Sequence, residues 1–137
     1  MYISLPHKQQ ANPSIGILDV INRLGSSSGT DESGNSHVSF NCVSLGEIHR
    51  VAAAGVDVTK RVIFSGIGKT EDEIDQAVSK GVYLFNIESW SELEVLEAAA
   101  RRHNKEVNIS IRVNPDISLS NISSTDGPSL LQIHLIV

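Results

Sequence analysis

Apolar residues along this chain follow two alternating rhythms. Val38-Ser-Phe-Asn-Cys-Val43, Arg61-Val-Ile-Phe-Ser65, Val82-Tyr-Leu-Phe-Asn-Ile87 and Val107-Asn-Ile-Ser-Ile-Arg-Val113 are short runs dense in β-branched and aromatic residues, the composition of strands. Two of them are nearly continuous apolar stretches, as strands covered on both faces are. Between them, Ile48/Val51/Ala52, Ile74/Ala77/Val78 and Leu93/Leu96/Ala100 recur at three- and four-residue spacing, which predicts helices with one buried face. Gly55 and Gly81 stand where a glycine would end the first two helices. Ser14 to Leu24, closed by Gly25, reads as an earlier helix of the same kind.

Three of the predicted helix starts share a motif. Ser44-Leu-Gly-Glu47, Thr70-Glu-Asp-Glu73 and Ser89-Trp-Ser-Glu92 each place a hydroxyl three residues before a glutamate. In a capping box the hydroxyl accepts the third helical N–H and the carboxylate reaches back to the cap's own N–H. Each box directly follows a β-rich run. Strand then helix, repeated every roughly twenty to twenty-five residues, predicts a parallel sheet with helical crossovers. The α/β class leaves two architectures open, a doubly wound sheet or part of a (β/α)8 barrel. Either one gathers chemistry at the C-terminal strand ends, here 41–44, 65–69, 86–89 and 112–116. Caps and turns are the alternative account of the same polar residues.

Composition narrows the function classes. The chain has 137 residues, 40% hydrophobic and 20% charged, ordinary values for one globular domain. Its formal net charge of −5 argues against nucleic-acid binding, which needs a basic footprint. The single cysteine, Cys42, excludes an internal disulfide and suits a reducing compartment. No apolar run reaches membrane-spanning length, and the N-terminus lacks a secretory pattern. The cytoplasm is therefore the default expectation, with an organelle the alternative if a targeting segment has been lost. Ser26 to His37 is rich in serine and glycine and reads as a disordered insertion on the face opposite the strand ends.

Several chemical candidates fall away. Ser65-Gly-Ile-Gly-Lys-Thr70 has Ile63 where a phosphate loop requires its first glycine, so Gly66 and Gly68 read as turn residues, or as a loop bordering a bound ligand. The five histidines show no metal spacing. Cys42 reads as an ordinary buried thiol. Arg112 interrupts an apolar strand, where an unpaired guanidinium would be costly. Its expected partner is a carboxylate, Glu47 or Glu88, or an anionic ligand.

In series, ANPSIGIL, FNCVSLGEIHRVAAAGV, VIFSGIGKTEDEIDQAVSKGV, LFNIESWSELEVL and ISIRVNPD resemble the N-terminal barrel of diaminopimelate decarboxylases. These are pyridoxal-phosphate enzymes, grouped with ornithine and arginine decarboxylases, that share a barrel with alanine racemase. The resemblance covers residues 11–116, and FSGIGKT and RVNPD favour the diaminopimelate branch over the ornithine one. It implies a partial (β/α)8 barrel of the alanine-racemase type, pyridoxal 5′-phosphate as cofactor, an amino-acid substrate and a dimer. Family activity is removal of carbon dioxide from meso-diaminopimelate, yielding lysine. By resemblance Arg112, Glu47, Ser44 and Asn41 are the cofactor-binding candidates. Arg112 is the strand arginine beside the cofactor ring, Glu47 and Ser44 are kept from an FD-x-x-S-x-x-E motif, and Asn41 replaces its aspartate.

The ends depart from that pattern. Relatives carry the cofactor lysine immediately before Ala-Asn, and here that residue is Gln10. Lys8 lies two residues earlier, about 6–7 Å along a strand, and is not expected to substitute. After Arg112-Val-Asn-Pro-Asp116, residues 117–137 follow no family segment, so the histidine that packs on the cofactor ring has no counterpart near its usual place. The expectation is an incomplete barrel domain over 1–137, a gene fragment or unusual splice form, inactive alone. The alternatives are a related decarboxylase of the ornithine or arginine type, or a non-catalytic remnant or partner of a full-length relative. Such a piece would expose two unpaired strand edges.

Overall fold

The computed structural model describes residues 14–27, 38–113 and 131–136. Helix α1 (Ile15–Ser27) is followed by β1 (Phe40–Cys42), α2 (Leu45–Ala53), α3 (Val58–Arg61), β2 (Val62–Phe64), α4 (Glu71–Lys80), β3 (Leu84–Ile87), α5 (Trp90–His103), β4 (Asn108–Val113) and β5 (Leu131–Ile136). All form one sheet in the order β1-β2-β3-β4-β5. The first four strands are parallel, whereas β5 pairs antiparallel with β4 from Asn108↔Ile136 to Val113↔Leu131.

Strand order decides between the two architectures. A doubly wound sheet reverses its order at a switch point, and its helices cover both faces. Here the strands run sequentially, and right-handed crossovers then place every helix on one face. The core bears this out. Phe40, Cys42, Val62, Phe64, Phe85, Ile87 and Ile109 pack with Leu18, Ile48, Val51, Ile74, Val78, Leu96 and Ala99 in one cluster. Leu84 is 5% exposed yet stands outside that cluster, because its side chain belongs to the other face. The chain therefore builds four strands of a barrel wall, helices outside and a second face turned inward.

Local chemistry explains the element boundaries and corrects several expectations. Only Thr70 closes a full capping box, with Glu73 answering its backbone N–H. Ser44 and Ser89 cap α2 and α5 through their hydroxyls, but Glu47 and Glu92 turn elsewhere. Gly81 ends α4 in the left-handed region at φ 69°, and Asn104 does so for α5 at φ 48°. Gly25 does not stop α1. A Cβ there would come within 2.8 Å of Val38 and 2.9 Å of Arg61 Nη2, so glycine serves close approach between α1 and the start of β1. Helix α1 also continues through Ser27, into the stretch read as an insertion; the rest of that stretch lies outside the described residues. Ala52 is exposed, and Ala54 is buried in its place.

Two elements had no expectation. Asp57 caps the single turn α3 by accepting from the Thr59 N–H at 3.0 Å, a local device that hydrophobic period does not reveal. Strand β5 covers one of the two edges expected to be bare. Among the described residues the outer edge of β1 remains unpaired.

Candidate functional site

Side chains alternate along a strand, so register assigns the inward face. Asn41 is opposite Ile63, Ile63 opposite Leu84, and Asn86 opposite Ser110. Counting by two, Asn41, Ser65, Asn86, Glu88, Ser110 and Arg112 share the face that the helices do not cover. This face is polar toward the C-terminal strand ends, where the loops 65–70 and 88–90 also emerge.

Arg112 is paired. Its Nη1 donates to Glu88 Oε2 at 3.2 Å, with the arginine side chain 41% exposed and the glutamate 12%. Of the two carboxylates expected, Glu88 is the partner. Glu47 is committed elsewhere, its Oε2 accepting from the Val43 N–H at 2.7 Å. Ser44 accepts from the Glu47 N–H at 3.3 Å. The described contacts of Ser44 and Glu47 thus hold the chain where it leaves β1, next to Asn41. Asn41 keeps Oδ1 buried without a hydrogen-bond partner. Lys8 and Gln10 lie outside the described residues.

Lys69 is the residue that sequence reasoning passed over. Its ammonium donates to Gly66 O at 3.0 Å, Asn86 O at 2.8 Å and Glu92 Oε1 at 2.6 Å, so each of its three protons has an acceptor. The side chain is 1% exposed and Glu92 is 8% exposed. Phe64 lies beneath, its ring centroid 5.5 Å from Nζ. This clasp ties the β2 and β3 ends to the first turn of α5. Gly66 and Gly68, at φ 105° and 80°, give the loop the reversed turns that carry Lys69 inward. The sequence carried no sign of this: Ser89-Trp-Ser-Glu92 reads as a closed capping box, and only the fold brings Glu92 to Lys69.

Cys42 faces the helices, buried. Burial first, then the Glu47 charge, pushes its pKa up to about 12 from 9.0. The unfolded thiol ionises near 9 and the folded one near 12, so its contribution to stability is intact below about pH 9. It is lost as pH rises through that window. At pH 8 iodoacetamide should leave Cys42 of the folded chain unmodified and alkylate it promptly in urea. Labelling of the folded chain at the unfolded rate would contradict a sealed core here.

A groove of about 460 Å³ runs along α5 and β4, lined by Leu93, Leu96, Ala100, Val107 and Ile109 among others. It belongs to the helix-covered side and carries none of the polar cluster. Among the described residues no group of His, Cys, Asp or Glu could hold a metal, and no helix is long and apolar enough to cross a membrane.

Sequential parallel strands, external helices and a polar inward face at the strand ends define part of a (β/α)8 barrel wall. The chain belongs to the pyridoxal-dependent decarboxylase family, whose pyridoxal-binding domain matches residues 3–128. It is 43% identical over 108 residues to the diaminopimelate decarboxylase of Pseudomonas aeruginosa, covering 79% of this chain and 23% of that protein. The Vibrio cholerae enzyme of the same name is 41% identical over the same length, with the same coverage. Among solved structures, diaminopimelate decarboxylase from Helicobacter pylori complexed with L-lysine superposes with a TM-score of 0.67 at 34% identity, over 82% of this chain and 25% of that one. The chain spans about a quarter of the length of these relatives.

Proposed function

We propose that this chain forms the first strand–helix units of a pyridoxal 5′-phosphate-binding barrel and that its inward face borders the cofactor of a diaminopimelate decarboxylase-like protein. The observation carrying this reading is the charged pair Arg112–Glu88 on the inward face, at the barrel mouth. Residues 1–137 then constitute part of one barrel domain, and decarboxylation of meso-diaminopimelate to lysine requires the elements that complete it.

The inward face fits the polar edge of a pyridine ring, with Asn41 offering an unpaired amide oxygen and Arg112 a half-exposed guanidinium. The covalent anchor is not among the described residues. Lys69 is the one described lysine at the C-terminal strand ends, and its three partners engage it fully. When bound, the cofactor supplies an electron sink for the bond to the departing carboxylate. The chain's own part is to orient. Glu88 fixes the Arg112 fork, Glu47 and Ser44 hold the end of β1, and the Lys69 clasp keeps water from the seam between β2 and β3. The buried thiol of Cys42 suits the reducing cytoplasm.

Binding of pyridoxal 5′-phosphate to the whole chain, read by its absorbance and fluorescence, tests this. Arg112→Leu should weaken binding about tenfold, the worth of one charge-assisted hydrogen bond. Equal affinity of Arg112→Leu and wild type would remove Arg112 from the site.

A second reading is favoured by exposed apolar side chains. Ile67 and Trp90, 87% and 74% exposed, rim the strand ends, and Ile15, Val20 and Leu24 are exposed along α1. Together with the outer edge of β1, unpaired among the described residues, they suit pairing with a further copy or with a full-length relative. Light scattering should give a mass above the monomer; a monodisperse monomer at high concentration would remove this reading.

A further inference from the structure

Three buried side-chain oxygens without a hydrogen-bond partner, Asn41 Oδ1, Asn86 Oδ1 and Ser110 Oγ, belong to the inward face. Asn86 is 8% exposed and Ser110 0%. Buried polar atoms in native proteins are nearly always satisfied, and a cluster of exceptions calls for an explanation. Asn86 and Ser110 stand directly opposite one another in the β3–β4 register. Ser65 follows Phe64, which pairs with Phe85, so it stands beside Asn86 on the same level. The Asn86 amide nitrogen donates to Ser65 Oγ at 2.7 Å, which leaves the amide oxygen as an acceptor.

Packing does not require this row. The neighbouring inward position on β3 is Leu84, buried at 5% exposure, so an aliphatic side chain fits the same face. On β3 the inward face turns polar at this level, a single residue pair below Glu88 and Arg112. On β4 the inward positions Asn108, Ser110 and Arg112 are all polar, but Asn108 is engaged, its Nδ2 donating to Tyr83 O at 2.9 Å. The Asn86 level is also the one that the Lys69 ammonium anchors, through the Asn86 carbonyl. A desolvated set of unpaired acceptors is what recognition of a donor group needs.

We propose that Asn86 and Ser110, braced by Ser65, form a hydrogen-bonding subsite for an N–H or O–H donor of the bound small molecule. The donor belongs either to the pyridoxal cofactor or to the amino group of an amino-acid ligand. This deepens the cofactor reading above and rests on it for the location of the ligand. None of the three residues is among the cofactor candidates named from the family motifs.

The test is nuclear magnetic resonance of the nitrogen-15-labelled full chain, titrated separately with pyridoxal 5′-phosphate and with L-lysine. The Asn86 side-chain amide and the Ser110 backbone amide should shift saturably with at least one ligand. Ser110→Ala, which removes one hydroxyl and no core volume of note, should weaken that ligand about three- to tenfold, the loss of one hydrogen bond. Shifts with the phosphate compound assign the donor to the cofactor; shifts with lysine assign it to the amino acid. If the cofactor moves the Arg112 signals and neither ligand moves Asn86 or Ser110, the cofactor reading stands and the subsite is overturned. If lysine moves the row while the cofactor fails to bind, the subsite stands and the cofactor reading falls. Silence at both residues with both ligands, or unchanged affinity in Ser110→Ala, overturns the subsite.

Discussion

Lys69→Met should cost the chain about 3–5 kcal/mol, because it leaves Glu92 buried and charged with no counterion. Few single changes on the surface of a protein approach that size. The reason is geometric. Lys69 is 1% exposed and holds Glu92 at 2.6 Å, and the same ammonium also satisfies two carbonyls, of Gly66 and Asn86. The double variant Lys69→Met with Glu92→Leu should recover most of the loss, since a buried ion pair can be exchanged for apolar residues of similar volume at little net cost. Urea unfolding at neutral pH reads both, as shifts in midpoint with the slope unchanged. A single-variant loss under about 1 kcal/mol would mean that the clasp is open to water in solution.

Phe64→Ala is the second large effect, again about 3–5 kcal/mol, from lost burial and the cavity left behind. Phe64 is 0% exposed, ends β2 between β1 and β3, and meets Phe85 with centroids 6.2 Å apart. Its ring also underlies the Lys69 ammonium, so the two sites are coupled. Phe64→Leu, which keeps most of the volume, should cost less than half as much. A cycle of Phe64→Leu with Lys69→Met should show a coupling above about 0.5 kcal/mol, as expected for residues in contact. Strict additivity would contradict the packing of Lys69 on the ring.

The strand and helix series was legible because it rests on local rules. Three of the four β-rich runs lead into a hydroxyl cap, and the C-terminal glycine at Gly81 needs only its own left-handed backbone. The partner of Arg112 was legible only as a pair of alternatives, since the choice of Glu88 over Glu47 depends on register. What stayed hidden is what distance along the chain conceals. The motifs at Ser44 and Ser89 predicted closed capping boxes, but Val43 and Lys69 outcompeted the cap backbone for Glu47 and Glu92. Gly25 looked like a stop and proved to be a contact with Val38, thirteen residues on. Ser110 was invisible as a site residue because a serine in an apolar strand becomes notable only when its partner across the sheet is Asn86. The final strand β5 lies where no family motif guides the eye, and its antiparallel pairing with β4 follows from an available edge rather than from any repeat.

A crystal structure of the chain soaked with pyridoxal 5′-phosphate tests the central claim most directly, that the inward face at the strand ends is where the cofactor belongs. Difference density should lie on that face, within hydrogen-bond reach of Arg112 and beside Asn41. Density confined to the α5–β4 groove, or to surface lysines away from the strand ends, would contradict it.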